Sequence, residues 1–311
     1  MPSRRPVLFS ESTYPGSGTY AYHWISGTES TWANMKASLV AAVEYNFFGL
    51  PFTGSDVCGY KGDVEEELCV RWWQIGAFLP LCRSGNAINA KDQDPASLNK
   101  EALNATRLIL HIRYKFLPYL YTILWFASTN GTSVIRPLFF EFPHDNHTYD
   151  IDDQFLLGTA IMVTPILEKH ARQRSVYFPA GRWFQLLHGA EVENATENRL
   201  FNVSMDLHEI GLYVKGGNVV PWQYAANNTV LSRRNALGLT VALDTNELSH
   251  GYLFWDDGIT PPSDSSYHYS LFLINVTKSA VTLERLGIDI FTTMLTESIV
   301  QWIYEINRSV L

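Results

Sequence analysis

The hydrophobic pattern of this chain changes period once, near residue 150, and that change bounds the fold. Before it, RPVLFS, FFGLPFTGSD and AFLPLCR read as short apolar strands, while STWANMKASLVAAVEYN and VEEELCVRWWQIG between them carry apolar residues at helical spacing. The Ser-Thr start of the first helix is a cap signal. One long helix is expected over SLNKEALNATRLILHIRYKFLPYLYTILWFAS, kinked at Pro118. Alternating strand and helix is the pattern of a parallel sheet or a (β/α)8 barrel, in which functional groups gather at the carboxyl ends of the strands. Beyond residue 150 short β-runs separated by turns take over: AIMVTPIL, RSVYFPAGRWFQL, GLYVKGGNVVP, LGLTVALD, HGYLFWDDG and YSLFLINVT. They predict one or two small sandwiches, with a boundary near Gly216, Gly217 and Pro221. RPLFFEFP reads as a buried strand leading into them, and the stretch after residue 278 as one or two amphipathic helices.

A complete (β/α)8 barrel takes about 250 residues and eight strands. The alternating region offers three readable strands, so it is expected to be part of a barrel with an open edge. With 46% hydrophobic residues the chain can bury substantial cores. A net charge of -8 with no clustered Lys and Arg argues against a nucleic-acid partner. No run approaches the roughly 18 uncharged apolar residues that span a bilayer. The start, MPSRRPVLFSE, reaches Glu11 before an apolar region of signal-peptide length develops. Asn-X-Ser/Thr acceptors nevertheless begin at Asn104, Asn130, Asn146, Asn194, Asn202, Asn227, Asn275 and Asn307, more than chance placement gives, which favours a secretory history.

The stretch YHWISGTESTW, residues 22–32, reads as an active-site loop after a turn-rich run, and its one carboxylate is Glu29. Within it His23 and Trp24 can form a sugar-stacking wall, although a Trp near a loop is more often packing. Asp56, directly after an apolar strand, suits a functional strand end and suits a turn cap about equally. Glu11 follows RPVLFS, where barrel strands offer functional groups, with a solvated loop carboxylate as the plainer reading. Cys58 and Cys69 fit a small disulfide loop or two buried thiols. FWDDG at 254–258 is better explained by Asp-Gly turn chemistry than by a cation site. No metal spacing, phosphate loop, dinucleotide fingerprint or nucleophile elbow is present, so no cofactor and no metal are implied.

Taken in order, RPVLFSESTYPGSGTYAYHW, FFGLPFTGSDVCGY, EEELCVRWWQIGAFLPLCR, RYKFLPYLYT, RPLFFEFP, FLLGTAIMVTPIL and LFWDDG resemble glycoside hydrolase family 31, nearest the lysosomal acid α-glucosidase, maltase-glucoamylase and sucrase-isomaltase group. The resemblance covers roughly residues 4–278. It implies an α/β plus all-β chain: the C-terminal part of a (β/α)8 barrel over 1–150, about its last three strands, then two β-sandwich domains over 151–222 and 223–278. Residues 279–311 stay unassigned. It also implies a retaining exo-α-glucosidase lineage, secretory, lysosomal or extracellular, with an α-glucoside or oligosaccharide as ligand.

Residue by residue, the resemblance carries Trp24, Asp56 and Tyr60 over as the lining of a glucose subsite, and Cys58 with Cys69 as a disulfide. The family's acid, three residues after the Trp of its HW(T/L)GD motif, is matched by Gly27; the Arg of its SRST segment by Glu11; and the His of its RNH segment by Gly85. Its nucleophile, the Asp of a WIDMNE-like motif, is expected to fall before Met1. Retaining glycosidases need two carboxyl groups about 5 Å apart. Glu29, two residues late, is not expected to stand in for the acid, because proton donation needs reach of about 3 Å. The expectation is therefore a fragment of an α-glucosidase-like protein that is itself inactive. The alternative is a non-catalytic remnant with a carbohydrate- or partner-facing surface, or a truncated product without independent function.

Overall fold

A computed structural model describes residues 4–192 and 197–286. Four short strands, β1 (Phe9–Ser10), β2 (Tyr22–Ile25), β3 (Thr53–Val57) and β4 (Arg83–Ser84), form one sheet in the order β1-β2-β3-β4, every pair parallel. Three strands were expected. The additional one is β2, the YHWI at the head of the stretch read as a loop. Aromatic and β-branched side chains favour a pleated, half-buried surface, and the glycine and hydroxyls that suggested a loop begin only after Ile25.

Two helices cover one face of this sheet. Helix α1 (Trp32–Phe47) is capped by Thr31, whose hydroxyl accepts from Asn34 N at 3.2 Å, as the Ser-Thr start predicted. It buries Met35, Leu39 and Ala42, and α2 (Glu66–Gly76) buries Trp72, Trp73 and Ile75. The long helix divides at Phe116 into α3 (Lys100–Lys115) and α4 (Leu117–Asn130). Pro118 lies in the first turn of α4, where its missing N–H costs nothing; deeper in a helix it would remove a ladder bond.

The remainder is mostly antiparallel sheet. Strands β5 (Ile135–Arg136), β6 (Phe155–Leu157), β7 (Ile161–Thr164), β8 (Gln173–Phe178), β9 (Trp183–Gln185), β10 (Arg199–Ser204) and β11 (Gly211–Lys215) make a five-stranded sheet, β5-β6-β7-β11-β9, and a separate β8–β10 pair. Alternation sends Leu156, Met162 and Tyr213 to one side, where they share a core with Val176 and Phe178 of β8. Phe155, Leu157, Ile161, Val163, Leu212 and Val214 go to the other and join the core of α1 and α2. Of RPLFFEFP only Arg136 is strand; after Pro137, Leu138–Glu141 is a helical turn.

Strands β12 (Asn218–Gln223), β13 (Leu237–Ala242), β14 (Leu248–Asp256), β15 (Tyr269–Thr277) and β16 (Val281–Arg285) form a second five-stranded sheet, β13-β12-β14-β15-β16. Because β12 belongs to it, the chain passes between sheets at Gly216 and Gly217. Residues 281–285, read as helix, extend this sheet: their VTLER pairs with β15 from Phe272 to Val276. The rest of that stretch lies outside the described residues. The sheet leans on α4, with Trp125 stacked on Phe254 at 4.8 Å. Within FWDDG, Asp257 accepts the amides of Ile259 and Thr260, as turn chemistry predicted. Asp256 instead points inward, its carboxylate taking the Tyr121 hydroxyl at 2.8 Å and the Arg5 guanidinium. Among the described residues, no helix is long and apolar enough to cross a membrane.

Candidate carbohydrate site at the strand ends

In-register parallel neighbours present their side chains to the same side of a sheet. Trp24 pairs with Gly54 and Asp56 with Arg83. Trp24, Asp56 and Arg83 therefore share the face that α1 and α2 leave uncovered. His23, one residue earlier than Trp24, goes the other way. It is buried, its ring lies 3.6 Å from that of Tyr45 on α1, and desolvation lowers its pKa. The expected wall of His23 and Trp24 is not formed: the strand's alternation separates them.

The Asp56 side chain is fully buried. Its Oδ1 accepts from Arg83 Nη1 at 2.7 Å, and the Arg83 guanidinium sits 4.1 Å over the Trp24 ring. Burial raises the Asp56 pKa to about 6 against the pull of Arg83 and of the Trp24 indole, and the nearby Glu11 pushes it further up. Asp56 Oδ2, an acceptor, and Trp24 Nε1, a donor, lie close enough for the indole to pull on the carboxylate, yet neither makes a well-formed hydrogen bond. A buried unmet group costs about 1–3 kcal/mol, and a ligand hydroxyl, which both donates and accepts, can satisfy the two together.

The loops beyond the strands are pinned to each other. Thr28 O accepts the amides of Tyr60 and Lys61, Ser30 N donates to Lys61 O, and Ala87 N donates to Tyr60 O. Gly59, at φ +81°, lies so close that a Cβ would stand 2.7 Å from Ser30 N. Buried Gln93 donates its side-chain amide to Val57 O, Gly59 O and Gly85 O, tying the loops after β3 and β4. Cys58 and Cys69 form the disulfide, fixing the first loop residue to α2.

Gly27 is exposed at φ +68°, with nothing within 4 Å of a Cβ built on it. Space for a side chain is open at this position. Glu29 is exposed, its backbone bridged to Lys61. Gly85 lies beside Arg83, whose Nη2 would be 3.3 Å from a Cβ at that position. Arg83 and Gln93 were missed in the sequence. Arg83 ends an apolar run just as Asp56 does, so the same strand-end argument reaches it; Gln93, in the polar stretch KDQDPAS, carries no such signal.

Parallel strands with acidic and aromatic side chains at their carboxyl ends, followed by antiparallel sheet, match part of a barrel with a mostly β region after it. Family models agree: the glycosyl hydrolases family 31 TIM-barrel domain matches residues 1–123 and the glycosyl hydrolase family 31 C-terminal domain matches 131–220. The chain belongs to glycoside hydrolase family 31. It is 42% identical to a probable maltase-glucoamylase 2 of Homo sapiens over 255 residues, 82% of this chain and 10% of that protein. It is 42% identical to the intestinal sucrase-isomaltase of Homo sapiens over 270 residues, 87% of this chain and 14% of that protein. The α subunit of glucosidase II, solved bound to α3-Glc2, superposes with a TM-score of 0.88 at 25% identity, covering 92% of this chain and 31% of that one. The chain thus spans about a tenth to a seventh of these curated relatives.

Proposed function

We propose that this chain is a sugar-binding member of the family that does not hydrolyse its ligand. The unmet pair of Asp56 Oδ2 and Trp24 Nε1 carries the reading, because adjacent hydroxyls of an α-glucoside supply the missing acceptor and donor. Tyr60, on a loop fastened by its own amide and carbonyl, completes the lining of that subsite. Inactivity rests on three positions. Gly27 offers no proton to a leaving oxygen, Glu11 sets a negative charge beside Asp56, and Gly85 offers no side-chain donor. Glu29 cannot swing into place while Thr28 and Ser30 hold the loop to Lys61. The two antiparallel sheets are read as two sandwich units after part of a barrel, and the lineage as secretory, in keeping with relatives named intestinal.

The test is a pair of measurements on the purified 311-residue chain. With maltose and a chromogenic α-glucoside, hydrolysis is expected at the buffer background; turnover that disappears in Glu29→Gln or Asp56→Asn would overturn the inactivity. Titration with maltose is expected to perturb Trp fluorescence in the wild type and not in Trp24→Phe. Absence of a saturable change in the wild type would remove the sugar-binding reading.

A further inference from the structure

The sequon asparagines among the described residues share one setting. Asn104, Asn130, Asn146, Asn202, Asn227 and Asn275 are all exposed, and none of their side-chain amides makes a hydrogen bond. Most asparagines outside sequons, Asn89 excepted, do structural work. Asn46 accepts the amides of Val134 and Ile135, Asn99 and Asn228 cap helices, and Asn86 and Asn218 bind backbone carbonyls. Two of the sequon asparagines line one cleft of about 430 Å³, on the outer side of α3 where residues 225–227 approach it. Asn104 stands on one wall and Asn227 on the other. Between them lie Leu108, Tyr114, Arg107 and His111, with Leu108 46% exposed for a large apolar side chain. Apolar faces beside polar edges suit saccharide rings.

We propose that this cleft is a modification site, with N-linked oligosaccharides attached at Asn104 and Asn227 and their first sugars lying over Leu108 and Tyr114. Attachment joins Asn Nδ2 to the anomeric carbon of the first sugar. The bond broken is that carbon's link to the pyrophosphate of a lipid-pyrophosphate oligosaccharide, which leaves as Nδ2 gives up one proton. The two sites differ in timing. Thr229, the hydroxyl residue of the second sequon, is exposed, whereas Thr106 of the first is fully buried in α3. Asn104 is therefore modified before α3 packs, while Asn227 stays available afterwards.

The full chain, placed behind a cleavable export signal and translated with rough microsomes, tests this. Peptide N-glycosidase digestion in heavy-oxygen water is expected to leave labelled Asp at both positions. Detergent-solubilised oligosaccharyltransferase with its lipid-pyrophosphate oligosaccharide donor, added to the folded chain, is expected to modify Asn227 and leave Asn104 unmodified; equal modification of both would overturn the difference in timing. Recovery of either peptide as unlabelled Asn from co-translational samples would overturn the assignment. Asn104→Gln and Asn227→Gln should each lose one glycan. Hydroxyl-radical labelling of Leu108 and Tyr114 should rise several-fold on deglycosylation; equal labelling before and after would show the glycans pointing away and sink the cleft assignment.

Discussion

At the scale of the residue, Asp56 sets the pH behaviour of the site. Folded, it holds a proton up to about pH 6; unfolded, only to near the ordinary 3.8. Between those values the folded chain binds the more protons, so stability falls as pH rises through this window and is lowest above it. Denaturant titrations are expected to show Asp56→Asn losing less stability than the wild type from pH 4 to 7, by up to roughly 3 kcal/mol, the equivalent of the shift. At Gly27 the open space accepts a carboxyl, and the left-handed backbone costs an Asp there on the order of 1 kcal/mol. Gly27→Asp should fold, melt slightly lower and still leave maltose intact, because Glu11 and Gly85 remain. Gly59 contrasts with it: backbone strain together with the clash at Ser30 should make Gly59→Ala cost about 3 kcal/mol in a thermal melt.

At the scale of the element, two fasteners hold α2 where the strand-end loops need it. The Cys58–Cys69 disulfide closes a separation of 11 residues, and the loop-entropy relation assigns it about 3 kcal/mol. Cys58→Ser with Cys69→Ser should lower the unfolding free energy by that order, read from urea midpoints. Arg71, fully buried on α2, donates to the carbonyls of Ala171, Met205, Asp206 and Glu209, binding the helix to the loops before β8 and β11. Removing one side of such a buried charged network costs about 3–5 kcal/mol, so Arg71→Met is expected to be the most damaging of these changes. Neither fastener is equally visible in the sequence. Cysteine spacing allowed the disulfide beside the alternative of free thiols, but an Arg inside VRWWQIG says nothing of carbonyls 100 to 138 positions away.

At the scale of the molecule, the parallel sheet has strand β1 at one edge and β4 at the other, with no further strand paired to either among the described residues. Near the first edge Val7 and Leu8 are each 61% exposed, and the rings of Phe9, Tyr22 and Phe52 cluster beside them. Open edges with apolar flanks invite association. The isolated chain should elute from size exclusion at a position that shifts with concentration, and Leu8→Lys should reduce that shift. A sharp monomeric peak at all concentrations would contradict this.

The sequence by itself determined the order of the architecture, because the change from helical spacing to short β-runs is local and survives reading one residue at a time. It also placed Asp56 near a strand end, since that follows from its position after an apolar run. It did not reveal that YHWI is a strand or that residues 281–285 join a sheet, since short apolar runs fit either state until a partner strand pairs with them. Only the tertiary structure decided that His23 turns to Tyr45 while Trp24 turns to Arg83 and Asp56. Which face of a strand is covered depends on where the helices pack, and that is settled by contacts far apart in the chain.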